Sequence, residues 1–195
     1  MSPSDAGVIA WVLMVVAWYV IRYPFERRAK RARISKSGRG LAERVRMAIS
    51  FAGLGIVPGI FAATGFPQAA SYELSTVQLC LGIVCALAAL VLFRLTHKAL
   101  GKMWSVSLDI RDNHRLVTEG VYGRVRHPMY SAFWLMAGAQ ALLLPNFAAG
   151  LAGLVGFGIL FASRIGPEEG MMEATFGDEY RAYCERTARI IPGIF

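Results

Sequence analysis

The sequence predicts an all-α integral membrane protein with five transmembrane helices, the fourth and fifth forming a closely packed hairpin, and a C-terminal amphipathic helix. Three observations carry this expectation. Of 195 residues, 55% are hydrophobic and only 17% are charged, against about 25% charged in a typical soluble domain. The apolar residues come in long blocks without charge. The 21 Lys and Arg residues fall between those blocks in an order that sorts them to one membrane face.

A helix needs roughly 20 apolar residues to cross a bilayer. Ala6 to Ile21 holds 16 uncharged residues, followed by Tyr23 and a basic run. Snorkelling of those flanks extends the block, giving a first span over 6–22. The opening residues lack a positive n-region and the charges come after the apolar block, so it reads as a retained span rather than a signal peptide. Met47 to Tyr72 holds 26 uncharged residues and Leu74 to Phe93 holds 20, giving spans over 47–66 and 75–95. Gly53, Gly55 and Gly59 permit close helix approach, and Pro58 can kink the second span.

Pro128 to Ser163 runs 36 residues without Asp, Glu, Lys, Arg or His. One helix of that length would be about 54 Å long, far beyond a hydrocarbon core of about 30 Å. Pro145-Asn146 lies near the middle, and proline breaks the hydrogen-bond ladder. The block therefore reads as two spans, 129–144 and 147–164, joined by a tight turn. Gly138 and the stripe Gly150, Gly153, Gly156 and Gly158 suit close packing of this hairpin. Beyond Pro167, apolar residues such as Met171, Phe176, Tyr180 and Tyr183 recur at helical spacing among acids, which predicts the amphipathic helix, interrupted near Gly177-Asp178.

With five spans, the ten bases of Arg22 to Arg46, the seven of Arg94 to Arg126 and the four from Arg164 onward all share one side. The positive-inside rule makes that side cytoplasmic. The expected arrangement is one membrane domain over 1–195 in the cell inner membrane, N-terminus outside and C-terminus cytoplasmic. The net charge of +8 then reflects orientation and contact with anionic lipid. No zinc-finger, helix-turn-helix or aromatic RNA-binding pattern is present, so no nucleic acid is expected as a partner, nor an obligate protein partner. Cys80, Cys85 and Cys184 form no disulfide framework. The three histidines make neither H-x-x-x-H nor H-E-x-x-H, and no metal is expected. No internal repeat supports a transporter.

The most informative stretch is His114 to Phe133, a polar, ionisable knot running straight into an apolar block. Such a knot marks a ligand site or a headgroup anchor. His97, Arg126, His127, Arg164, Glu168 and Glu169 all fall at span ends on the cytoplasmic side. An Arg offers a bidentate fork to a carboxylate, and a nearby Glu can orient it. His127 can donate to an anion or accept a proton near neutral pH, and Pro128 suits the first helical position. Residue chemistry alone leaves a second reading for each. Arg126 and His127 can be interface anchors, Arg164 a topology charge, Tyr122 and Tyr130 interfacial aromatics, and His97 a helix terminus.

The run Gly120-Val121-Tyr122-Gly123-Arg124-Val125-Arg126-His127-Pro128-Met129-Tyr130, followed by a helical hairpin and Pro167-Glu168-Glu169, resembles the isoprenylcysteine carboxyl methyltransferase family. Wider relatives include phospholipid N-methyltransferases and thiol S-methyltransferases. The likeness covers roughly the last 100 residues, including the lead-in Gly101 to Ile110 and the ending Phe176 to Phe195. The five-span count resembles the short microbial members.

The resemblance implies S-adenosylmethionine as methyl donor, held in a cytoplasmic cleft built from segments 97–128 and 165–195. It implies that Leu116, Val117, Gly120, Val121 and Tyr122 shape the adenine side and that His127 and Tyr130 hold the methionine part. His97, Arg126 and Glu169 complete the cofactor site, and Tyr180 encloses it. Arg164 and Glu168 match the family's catalytic-side pair, Arg164 positioning the acceptor and Glu168 orienting Arg164. The implied reaction is methyl transfer to a lipophilic or prenylated acceptor among membrane lipids, foremost carboxyl O-methylation of an isoprenylcysteine-like substrate. Phospholipid N-methylation and thiol S-methylation stay open. Competing classes are a nicotinamide-dependent membrane reductase, which shares a related C-terminal half, and a non-catalytic membrane scaffold.

Overall fold

The computed structural model describes residues 1–29, 34–37, 40–101, 109–111 and 116–194. Most of the lead-in stretch, 102–108, and His114 lie outside the described residues. In chain order the elements are α1 (Pro3–Ala29), β1 (Ile34–Ser37), α2 (Leu41–Phe51), one π-helical turn (Ala52–Ile56), α3 (Val57–Thr64), α4 (Thr76–Leu100), β2 (Asp109–Arg111), a 3-10 turn (Gly120–Gly123), α5 (Pro128–Leu143), α6 (Phe147–Phe176) and α7 (Asp178–Arg186). β1 and β2 pair antiparallel and link the two polar connections. From α2 to α3 the helix is continuous. Pro58 has no N–H for an i→i−4 bond, and the wider π turn just before it accommodates that loss.

The protein is an all-α, multi-pass membrane protein, but in place of the expected five spans the described residues hold four candidate spans. The helices long and apolar enough to cross a membrane are Pro3–Arg27, Leu41–Thr64, Thr76–Leu100 and Phe147–Phe176. α5 is the one that falls short. Pro128 opens it, and Pro145 holds Leu144 extended (φ −90°, ψ 121°) and so stops it at Leu143. Its 16 residues reach about 24 Å, less than a hydrocarbon core of about 30 Å. α6 errs in the other direction. It runs on through Pro167 to Phe176 for 30 residues, well past the boundary that the first charge, Arg164, had suggested. Helix ends follow backbone hydrogen bonding and proline, not the first charged side chain. The sorting of all 21 bases to one side assumed five spans and does not follow from four.

α5 and α6 lie side by side, and the turn between them is tied to the connection before α4. Asn146 caps α6 by accepting from Ala149 N at 3.0 Å, while its Nδ2 donates to Pro67 O at 2.7 Å and Ser71 Oγ at 3.0 Å. The Tyr72 hydroxyl donates to Leu144 O at 3.1 Å. These bonds fix one end of the bundle and leave the other to the polar segments.

Small residues set the helix spacing. A Cβ added at Gly53 in the π turn would fall 2.3 Å from Ala152 O, and one at Gly156 would fall 2.9 Å from Ile49 O, so α2 and its following π turn touch α6 backbone to backbone. Gly150 instead faces Ala141 of α5. The glycine stripe thus serves two neighbours, not the hairpin alone. Gln140, fully buried on α5, donates to Gly53 O at 3.0 Å and Ala149 O at 2.7 Å, pinning all three helices together. Trp11, Phe93, Met136 and Leu143 form the main core. A second cluster of Tyr130, Phe157 and Leu160 lies under the polar end. Val12, Leu13, Val16, Val84, Leu87 and Val91 stay exposed on α1 and α4, an apolar outer face suited to lipid and not to water.

Candidate active site at the polar end of α5 and α6

The site is assembled by the C-terminal tail folding back on the start of α5. Arg126 N donates to Ala188 O at 2.8 Å and His127 N to Arg189 O at 3.0 Å, so the tail runs beside 125–127 like a short strand. Arg126 reinforces this. Its Nη1 donates to Cys184 O at 3.0 Å and to Thr187 O, and its Nε and Nη2 both reach Glu169 Oε1 at 3.3 Å. The guanidinium, 9% exposed, is committed to the tail and to Glu169.

Glu169 is the hub. Besides Arg126, its carboxylate lies 3.2 Å from His127 Nε2 and accepts Arg189 Nε at 3.1 Å and Nη2 at 2.7 Å. One helical position earlier, Glu168 accepts the Tyr130 hydroxyl and lies 3.8 Å from His127 Nδ1. His127, the residue just before α5, therefore spans both acids. Its ring lies 5.5 Å from that of Tyr130 in a stacked arrangement. Glu169 is spent on three partners, whereas Glu168 keeps negative charge to offer at a partly open position.

Arg164 lies one turn before Glu168 on α6, but its ion pair among the described residues is with Glu43 of α2, Nε to Oε1 at 3.4 Å. Glu43 is 5% exposed. Glu168 is engaged instead with Tyr130, and the charges of Arg164, Glu43 and Glu168 all act on the Tyr130 hydroxyl. Tyr130 thus feels the charges of Glu168 and of the Arg164–Glu43 pair.

The 3-10 turn Gly120–Gly123 joins this cluster to a cleft. Tyr122 O accepts the Tyr183 hydroxyl at 2.6 Å. Burial, then the negative charge of Glu168, raises the Tyr122 phenol well above its usual range. On its other side, Leu116, Val117, Gly120 and Val121 face Leu95, Lys98 and Leu100 at the end of α4 across a cleft of about 1010 Å³, with Glu119 and Arg124 at its wall. α7 covers the cluster through Tyr180 and Tyr183, 4% and 2% exposed. Burial pushes Tyr183 up to about 12 and raises Tyr180, aided by the negative charge of Glu169. Both are neutral phenols at neutral pH.

The expected site residues therefore fall into groups. Leu116, Val117, Gly120 and Val121 line the cleft. Tyr122 sits in the turn beside it. Arg126, His127, Tyr130, Glu168, Glu169 and Tyr180 share the acid–histidine cluster or its cover. Arg164 joins that cluster from the Glu43 side. His97 does not line the cleft: it is fully buried, its Nδ1 lies 2.9 Å from Phe93 O, and its ring packs on Phe25 of α1 and Phe93. Sequence reasoning missed Glu43 and Arg189. The only signal for Glu43 was an acid one helical turn ahead of an uncharged block. Nothing in the sequence singled out Arg189.

Residues 78–174 match the isoprenylcysteine carboxyl methyltransferase (ICMT) family. Among similar proteins, a protein-S-isoprenylcysteine O-methyltransferase of Schizosaccharomyces pombe is 38% identical over 80 residues, which is 41% of this chain and 34% of that protein. A probable protein-S-isoprenylcysteine O-methyltransferase of Oryza sativa subsp. indica is 27% identical over 156 residues, 79% of this chain and 78% of that protein. A solved structure of the eukaryotic intramembrane Ras methyltransferase ICMT aligns with a TM-score of 0.49 and 25% identity, over 80% of this chain and 54% of that one. The chain thus spans about a third of the fission-yeast relative and about half of the solved chain. These relatives are eukaryotic and carry nothing toward the microbial origin expected from the span count. The matched segment runs from α4 through the cleft wall and α5 to Glu168 and Glu169 on α6, and over it the chain is similar to the isoprenylcysteine carboxyl methyltransferase family.

Proposed function

We propose that this protein is an S-adenosylmethionine-dependent methyltransferase acting on a lipophilic acceptor, foremost the carboxylate of an isoprenylcysteine-like substrate. The observation that carries the reading is the convergence of His127, Tyr130, Arg164 and Glu168 at one end of α5 and α6, beside the cleft lined by Leu116 to Val121. The cleft of about 1010 Å³ matches the upper size of small-molecule sites, about 1,000 Å³. Its chemistry fits the cofactor as well. Leu116, Val117 and Val121 offer an apolar wall to an adenine, and Glu119 offers an acceptor to ribose hydroxyls. His127, Tyr130 and Glu168 offer polar groups and negative charge to a cationic amino-acid end, with Glu169 bracing His127, Arg126 bracing the tail and Tyr180 roofing the cluster.

Bound S-adenosylmethionine supplies an electrophilic methyl on a sulfonium. The chain's own contribution is orientation and exclusion of water, the main sources of rate in a direct displacement. An ionised carboxylate acceptor needs no strong base. Arg164 positions it, and the apolar faces of α5 and α6 receive its hydrocarbon tail from the bilayer. For an amine or thiol acceptor, His127 or Glu168 takes the proton. The polar end faces the cytoplasm on this reading. Arg27, Arg44, Arg46, Lys98, Arg124 and Arg126 lie near helix ends there, while the connection between α3 and α4 carries Glu73 alone.

The test is transfer of a radiolabelled methyl from the cofactor by purified full-length protein in detergent, offered carboxylate, amine and thiol acceptors bearing the same prenyl tail. Transfer to the prenylcysteine carboxylate is expected. Transfer to the amine or thiol alone refutes the substrate assignment. Calorimetric binding of a reduced nicotinamide dinucleotide in place of S-adenosylmethionine refutes the reaction class.

A further inference from the structure

We propose that Glu43 is a positioning residue for the methyl transfer. From α2 it holds the Nε edge of Arg164 and leaves the two Nη groups of the guanidinium to take the acceptor's carboxylate. The inference rests on the functional reading above and adds a residue outside the family-matched segment 78–174.

The geometry is specific. Glu43 Oε1 and Arg164 Nε approach to 3.4 Å, and neither buried atom makes a hydrogen bond. Arg46 Nε stands 3.9 Å from the other carboxylate oxygen. The side chains of Glu43 and Arg164 are 6% and 12% exposed. Among the described residues no hydrogen bond engages the Arg164 Nη groups. A carboxylate withdrawn from water at the first turn of a membrane helix is costly without a cation. A snorkelling topology charge needs no buried acid on a neighbouring helix. The charges of both members of the pair also act on the Tyr130 hydroxyl, which binds Glu168 of the acid–histidine cluster.

The arrangement answers a conflict in the chemistry. An Arg that pairs fully with an acceptor carboxylate quenches the nucleophile it is meant to present, because ground-state binding that is lost in the transition state slows the reaction. A guanidinium already half-neutralised by Glu43 still offers a planar two-donor fork for orientation, with less net charge to quench. Glu43 thus sets both the direction and the effective charge of Arg164.

The experiment compares wild type, Glu43→Gln and Glu43→Asp as full-length proteins in detergent, with labelled S-adenosylmethionine and a farnesylated N-acetylcysteine. Cofactor affinity is measured by calorimetry. Access to Arg164 is measured by phenylglyoxal modification and peptide mass spectrometry. Glu43→Gln is expected to lower kcat at least tenfold, to leave cofactor Kd within twofold and to speed Arg164 modification severalfold. Glu43→Asp, which keeps the charge, recovers part of the kcat. Should Glu43→Gln fail to fold, Glu43→Asp and Arg164 labelling carry the test. A kcat for Glu43→Gln within twofold of wild type, or Arg164 labelling unchanged in whichever variant folds, overturns the role. Wild-type protein that transfers no methyl overturns the functional reading and this role together, whereas active wild type with an unimpaired Glu43→Gln overturns the role alone.

Discussion

Gly53→Ala tests how the packing of α2 and its π turn on α6 carries the site. The new Cβ would lie 2.3 Å from Ala152 O and 3.0 Å from Ala152 C, and real Cβ atoms hardly ever come closer than about 3.0 Å. The two helices must therefore separate by at least about 0.7 Å at that point. Overpacking of this kind costs about 1–3 kcal/mol. The carbonyl of Gly53 also accepts Gln140 Nε2 at 3.0 Å, and lengthening that bond costs about 1 kcal/mol more. Alanine's better helix propensity returns somewhat under 1 kcal/mol. The expected net loss is about 1–3 kcal/mol, or roughly 2–12 °C in melting temperature for a chain of this size. The same separation takes Glu43 and Arg164 from 3.4 Å to beyond about 4 Å, the outer reach of an ion pair, so turnover falls along with stability. The assay is thermal unfolding in detergent paired with methyl transfer. Two controls share the helix: a Cβ at Gly59 meets nothing within 4 Å, and one at Gly55 meets only the Phe51 ring at 3.7 Å. Gly59→Ala and Gly55→Ala should melt at or slightly above wild type. If Gly53→Ala melts with them, the backbone contact between α2 and α6 does not hold the site.

Further outcomes follow from the cluster itself. Glu169→Gln leaves Arg126 and Arg189 facing an uncharged group; a loss of about 3 kcal/mol is expected, with faster proteolysis of the tail beyond Cys184, and unchanged cleavage would contradict the hub role. His127→Ala should weaken cofactor binding about tenfold in calorimetry, whereas Arg164→Ala should lower turnover with cofactor affinity intact; the reverse pattern would exchange their roles. Val121→Trp should fill the cleft and abolish cofactor binding while the melting temperature holds, and normal affinity would place the cofactor elsewhere. Tyr183→Phe removes the 2.6 Å bond to Tyr122 O at a cost of about 1 kcal/mol, read as a lower melting temperature with a modest rise in cofactor Kd.

The signals that were legible in the sequence are local ones. Uncharged blocks marked the apolar helices because hydropathy needs no partner. Pro145-Asn146 marked the hairpin turn because proline restricts the residue before it and asparagine caps the helix after it. Gly177 marked the break before α7, where φ is +54°. Local signals also misled at boundaries. The first charge after the last block, Arg164, suggests its end, yet α6 continues through Pro167 to Phe176. Composition makes α5 look like a span, although prolines on both sides limit it to 16 residues.

What the sequence determined by itself is the membrane class, the polar knot before α5 and the residue types that crowd it, because each depends on neighbours along the chain. Tertiary structure alone decided the pairings: Glu43 with Arg164, Arg189 with Glu169, Glu168 with Tyr130, and His97 turned into the α1–α4 packing. The physical reason is that an ion pair between helices depends on where their axes approach. That is set by backbone contacts such as Gly53 with Ala152 and by the tail folding back on 125–127, and neither leaves a periodic trace in the sequence.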